Sequence, residues 1–153
     1  MDCNCIKEFD FALVVPTCNT IYYQDFTEWE QDVPAQYVVN ISKLGRAYDV
    51  TVNTLGLTKL DYPGDGLYTF KVEENCGTTF EKKTLLSCEV DCCLQDLILH
   101  AETDTDWEAI DRIKRFIEGA KAEFSVENYT KATDNYNAAK KLLKLYNCNC
   151  NGL

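Results

Sequence analysis

The feature that most constrains this chain is one change of hydrophobic period, near Cys88. Before it, apolar residues recur at every second position; after it, they recur three and four apart. A period of two marks a strand with one buried face, and a period near 3.6 marks an amphipathic helix. The chain therefore reads as α+β with its halves segregated: strands over 1-88, then helices over 89-153. No Pro/Gly/Ser-rich linker separates them. Cys88-Glu89-Val90-Asp91-Cys92-Cys93 joins them directly, which predicts a rigid joint rather than a tether.

In the first half, Phe9, Phe11, Leu13 and Val15 alternate with their neighbours, and Ile21 and Tyr23 start a second run. Tyr37, Val39 and Ile41, then Tyr48, Val50 and Val52, then Tyr68, Phe70 and Val72 follow, with a last strand from Phe80 to Leu86. Gly45-Arg46 and Cys76-Gly77 supply turns. Short half-buried antiparallel strands with turns between them suit an N-terminal antiparallel β-sandwich. Pro63-Gly64-Asp65-Gly66 stands just before Tyr68. In immunoglobulin-like sandwiches a tyrosine at such a corner hydrogen-bonds back to the upstream backbone, and Tyr68 resembles it. An ordinary turn followed by a core tyrosine fits the same residues.

In the second half, Leu94, Leu97, Ile98 and Ala101 form a short stripe. Thr105 and Glu108 are read as a capping box, followed by Trp107, Ile110, Ile113, Ile117, Ala120 and Phe124. Ser125 is read as the cap of a last helix whose stripe is Tyr129, Ala132, Tyr136, Ala139, Leu143 and Tyr146. The short connection predicts a helical hairpin. The small-large alternation resembles half of a tetratricopeptide unit, but such repeats need about three units to bury their faces, so a repeat protein is rejected. The remaining apolar face must be covered. Trp107, Phe116, Tyr129, Tyr136 and Tyr146 are the candidates for that cover, as interface or as internal packing, since aromatics dominate both.

The formal net charge of −10 disfavours nucleic acid and anionic membrane surfaces as partners, because both are bound by Lys and Arg. The opening residues show neither a basic region nor an apolar core of a signal peptide, and no apolar run reaches membrane length. Synthesis in a cytosol is the expectation, and there thiols are reduced by default. Nine cysteines form an odd set, so not all can pair within the chain. Cys3-Asn4-Cys5 and Cys148-Asn149-Cys150 are the candidate ligands of a four-thiolate zinc site, against a spacing tighter than structural zinc prefers. Small buried thiols, or later oxidation to disulfides, are the alternatives. His100 is the sole histidine and falls near the end of the first helix, where a helix C-terminus favours it. No partner for a nucleophile is identifiable, no phosphate loop follows Pro63-Gly64-Asp65-Gly66, and no calcium loop is complete. The expectation is a protein that is not an enzyme and holds no catalytic or cofactor residues.

The order of parts, with Glu89-Val90-Asp91-Cys92-Cys93-Leu94 opening the helices and Tyr146-Asn147-Cys148-Asn149-Cys150-Asn151-Gly152 closing the chain, resembles virion structural proteins of short-tailed crAss-like Bacteroidales bacteriophages. The resemblance implies a structural protein in multiple copies, a homo-oligomer bound to other virion proteins and assembled in the host cytoplasm. A ring or adaptor of the tail or connector is the first expectation, and a capsid-decorating or head-fibre protein the second. From other classes, Trp29 with Tyr22-Tyr23 suggests a carbohydrate-binding sandwich, and the cysteines a thiol metal-binding module.

Overall fold

The computed structural model describes residues 5–73 and 76–146. It is α+β, with nine strands followed by three helices: β1 (Ile6–Glu8), β2 (Phe11–Thr17), β3 (Thr20–Asp25), β4 (Glu28–Trp29), β5 (Gln36–Lys43), β6 (Arg46–Asn53), β7 (Leu57–Asp61), β8 (Gly66–Glu73), β9 (Thr79–Leu86), α1 (Cys88–Leu99), α2 (Asp104–Ser125) and α3 (Tyr129–Tyr146). Contacts divide the chain into two compact units. One holds 1–63 with 68–84, and the other holds 64–67 with 85–153. Residues Gly64–Leu67, the end of the turn before β8 and that strand's first two residues, group with the second unit.

In the sheet unit, β1 pairs with β4, the order β2-β3-β7 makes a three-stranded sheet, and β6-β5-β8-β9 makes a four-stranded one. The pairings β1–β4, β2–β3, β3–β7, β5–β6 and β5–β8 are antiparallel. The period of two places Phe11, Ile21 and Tyr23 of one sheet, and Val39, Ile41, Val52, Phe70 and Val72 of the other, in the core. Rings join the two sheets there: Phe11 stacks on Tyr23 at 4.8 Å and meets Phe70 at 4.6 Å between centroids. Such pairs add stabilisation beyond their buried area. Three strands escaped the sequence reading. Strands β1 and β4 are too short to show a period. In β7 the buried inward residue is Thr58, and the apolar Leu57 faces solvent, so alternation points the wrong way.

Tyr68 does what the corner reading expects. Its hydroxyl donates to the Pro63 carbonyl at 3.0 Å. Cys5 and Cys76 are joined by a disulfide across 71 residues of sequence.

In the helical unit, α2 and α3 pack together, and the core gathers Val90, Leu94, Leu97, Ile110, Ile113, Ile117, Ala120, Tyr136, Ala139 and Leu143. Gly119 lies against Asn135: a Cβ there would stand 3.0 Å from the Asn135 amide nitrogen. Two helix ends differ from expectation. The capping box of α2 is Thr103 with Asp106, two residues earlier than Thr105 with Glu108. Thr103 Oγ1 accepts the Asp106 N–H, and the Asp106 carboxylate accepts the Thr103 and Glu102 N–H groups. Both Thr-x-x-acid frames satisfy the pattern; the earlier one gains because Asp106 reaches two backbone donors. Ser125 does not cap α3 but ends α2, and its hydroxyl donates to the Ala122 carbonyl. The stop is made by Glu127 at φ 62°, with Glu127 N–H bonded to Phe124 O and Asn128 N–H to Glu123 O. That is a Schellman ending with glutamate in the left-handed position usually given to glycine.

Candidate functional site

In the helical unit, Asp65 is a buried acid on a loop whose carboxylate gathers three hydrogen bonds. Gly64 at φ 102° and Gly66 at φ 143° flank it, conformations that residues with a Cβ resist, and they let the loop carry Asp65 inward. Its carboxylate accepts the N–H of Glu89 at 2.9 Å and of Val90 at 2.8 Å, and the hydroxyl of Tyr136 at 2.6 Å. The Glu89 carboxylate returns the favour, accepting the Asp65 N–H at 3.0 Å. This is a capping box split across sequence. The residue before α1, Ser87, gives no side-chain cap, so the orphan donors of α1 are met by Asp65 instead. An acid at a helix N-terminus also meets the positive end of the helix dipole.

The sheet unit has its own polar cluster. Tyr37 donates to Asp25 Oδ1 at 2.7 Å, so its hydroxyl oxygen receives the proton of Tyr23 at 2.6 Å. Thr27 N–H also reaches Asp25 Oδ1, and Thr27 Oγ1 donates to Asp10 O. Burial pushes the phenols of Tyr23 and Tyr37 well above the ordinary tyrosine range, so both keep their protons. Asp10 bonds Lys82 Nζ at 2.6 Å, and that bond holds its carboxyl below the usual range. Lys82 also donates to Phe11 O and lies 4.6 Å from the centre of the Phe11 ring.

The five aromatic candidates separate by burial. Tyr136 is a core residue, fixed by its bond to Asp65, and is not exposed for an interface. Phe116 packs on the helical core, and Tyr129 meets Phe124 edge-on at 5.7 Å. Trp107 and Tyr146 remain exposed, at 49% and 42%. For carbohydrate stacking, Tyr23 is 0% exposed and offers no face. Trp29 is half-buried, lies edge-on to Tyr37, and has its indole N–H buried with no hydrogen-bond partner among the described residues. Tyr22 is half-buried, as Trp29 is.

The cysteines depart from the reduced expectation. Cys5 and Cys76 are bonded to each other, and Cys18, Cys88 and Cys93 are disulfide-bonded as well. Cys5 therefore offers no thiolate to zinc, while Cys3, Cys148 and Cys150 lie outside the described residues. Among the described residues, Cys92 keeps its thiol and is exposed. Spacing alone does not disclose pairing, which is why the sequence left this open. His100 caps α1, with Nδ1 2.8 Å from Asp96 O and 3.5 Å from Asp96 Oδ1. No helix among the described residues is long and apolar enough to cross a membrane.

No known protein family, curated protein or solved structure matches this chain.

Proposed function

We propose that the chain is a non-enzymatic structural protein that assembles in multiple copies through protein–protein contacts. The observation that carries this is the number of large apolar side chains left exposed on ordered elements: Val14, Val38, Tyr48 and Leu57 in the sheets, and Leu99, Trp107, Leu145 and Tyr146 in the helices. A contiguous exposed apolar patch marks a contact surface, whereas apolar residues exposed singly do not. With α2 and α3 taken as an antiparallel hairpin, α3 ends beside the start of α2, where α1 also finishes. Leu99, Trp107, Leu145 and Tyr146 then share one end of the helices. In the same reading the two larger sheets form an immunoglobulin-like sandwich, with Tyr68 at its corner.

The resemblance carried by the Cys-Cys and Cys-Asn-Cys segments makes the assembly a phage particle, and this chain a ring or adaptor of its tail or connector. Its partners are then other copies and other virion proteins, and its site is the particle built in the host cytoplasm. The disulfides favour an assembly that later meets an oxidising environment. Sedimentation velocity over a wide concentration range tests the reading. The expected result is a species heavier than one chain that grows with concentration. A single-chain species at every concentration overturns it.

A further inference from the structure

Each of the two larger sheets ends in two edge strands, and three of the four edges carry a device that discourages pairing. Strand β2 contains Pro16 and a register shift between Val14 and Thr17. Strand β7 is short and carries Lys59. Strand β9 carries Glu81, Lys82 and Lys83. Proline, lysine, bulges and shortness are the usual ways an edge is blunted. Strand β6 has no proline, lysine or register shift over its eight residues, and its charged side chains are Arg46 and Asp49. Arg46–Asn53 runs in unbroken register with β5, from Gln36↔Asn53 to Lys43↔Arg46.

The faces of β6 are divided by the same register. Tyr48, Val50 and Val52 lie opposite Ile41, Val39 and Tyr37, on the core side. Yet Tyr48 is 41% exposed and Val50 half-buried, while Val52 is fully buried. Core-side apolar residues are thus left open along this edge. The other face holds Ala47, Asp49 and Thr51, with Asp49 accepting a bond from Asn40 at 2.9 Å. The Thr54 N–H binds Ala35 O, which extends the ladder and fixes its phase. Even-numbered residues bond toward β5, and the N–H and C=O groups of Ala47, Asp49 and Thr51 point out of the sheet.

We propose that β6 pairs antiparallel with β6 of a second copy about a two-fold axis at Val50. The proposal rests on the multi-copy reading above and names the surface. Phase permits only registers that set like-facing residues opposite one another. A register centred on Asp49 would oppose two carboxylates and is disfavoured. Centred on Val50, Tyr48 lies opposite Val52 of the second copy, and Asp49 opposite Thr51. No like charges then face each other directly. Asp49 and Thr51 exchange backbone hydrogen bonds on both sides of the axis. The half-open core-side residues are covered, and two four-stranded sheets become one continuous sheet. A second copy fits better than an unrelated strand because the edge is complementary to itself, as a two-fold contact requires.

The test uses sedimentation equilibrium of the full chain and two variants, with an engineered cross-link. Thr51→Pro removes an N–H that the register turns away from β5, and proline is tolerated where that group faces solvent. Two hydrogen bonds are lost per dimer, so its dissociation constant should rise about thirtyfold. Val50→Lys places like charges across the axis and should abolish pairing. Val50→Cys should yield, on mild oxidation, a covalent dimer whose linked peptides both contain position 50, since a non-hydrogen-bonded pair brings Cα atoms to about 4.5 Å. Association left unchanged by Thr51→Pro and Val50→Lys, with no position-50 link, overturns the β6 assignment alone. A wild-type chain that never associates overturns both this proposal and the reading it rests on.

Discussion

The two units of this chain solve the same problem with different means. The helical unit draws on a continuous apolar core and meets three buried donors, the Glu89 and Val90 N–H groups and the Tyr136 hydroxyl, through Asp65, brought in from a distant loop. The sheet unit has an aromatic stack and spreads its polar demands over Asp10, Asp25, Thr27, Tyr37 and Lys82, with a disulfide besides. Concentrated satisfaction makes a unit sensitive at one position. Distributed satisfaction makes single losses milder, because the remaining groups still have partners.

The sharpest way to break the contrast is Asp65→Ala. It orphans the Glu89 and Val90 N–H groups and the Tyr136 hydroxyl together, and should cost about 4 kcal/mol, from unsatisfied buried groups at about 1–3 kcal/mol each. Urea unfolding followed by the helical far-ultraviolet signal measures it; a loss under about 1 kcal/mol would show that water replaces the cap without penalty. Next is the double change Cys5→Ser with Cys76→Ser. Opening a loop of 71 residues should cost about 3 kcal/mol, within the range for native disulfides, and should appear in the thermal midpoint of the sheet unit.

A smaller effect tests the distributed network. Tyr23→Phe leaves Tyr37 bonded to Asp25 and should cost about 1 kcal/mol near neutral pH. Its clearer mark is at alkaline pH. The Tyr23 phenol is raised above its ordinary value of 10.0, so above that pH the unfolded chain releases a proton that the folded chain retains. Stability of the wild type should therefore fall as pH rises past about 10, and less steeply in Tyr23→Phe. Equal slopes in the two proteins would show that the buried phenol does not govern the alkaline limb. Smallest, and opposite in sign, is Glu127→Gly. Relieving a left-handed non-glycine residue should raise stability by about 1 kcal/mol, seen as a higher urea midpoint at constant slope.

What was legible in the sequence followed from periodicity. Phe11, Tyr23, Val39, Ile41 and Phe70 alternate cleanly, and Ile110, Ile113 and Ile117 keep helical spacing, so six of the nine strands, the helices and much of the core could be read directly. The Tyr68 corner was legible because Pro-Gly and Asp-Gly precede it. The rest depended on contacts that spacing does not encode. Asp65 looked like a turn residue, and only the fold buries it and brings it to Glu89 and Val90; an acid between two glycines is the trace it leaves in the sequence. The start of α3 was misplaced, at Ser125 instead of Tyr129, because Glu127 occupies a position where glycine would have signalled the turn between the helices. Tyr136 belonged to the apolar stripe, but its hydroxyl partner lies in a distant loop, so its spacing did not separate a core role from an interface role.

Association of copies is tested most directly by hydrogen exchange, comparing dilute and concentrated protein amide by amide. The Asp49 and Thr51 amides of β6 should slow as concentration rises, while those in the middle of α2 stay unchanged. Exchange at β6 that is identical at both concentrations, in a protein that sediments as one chain, would contradict it.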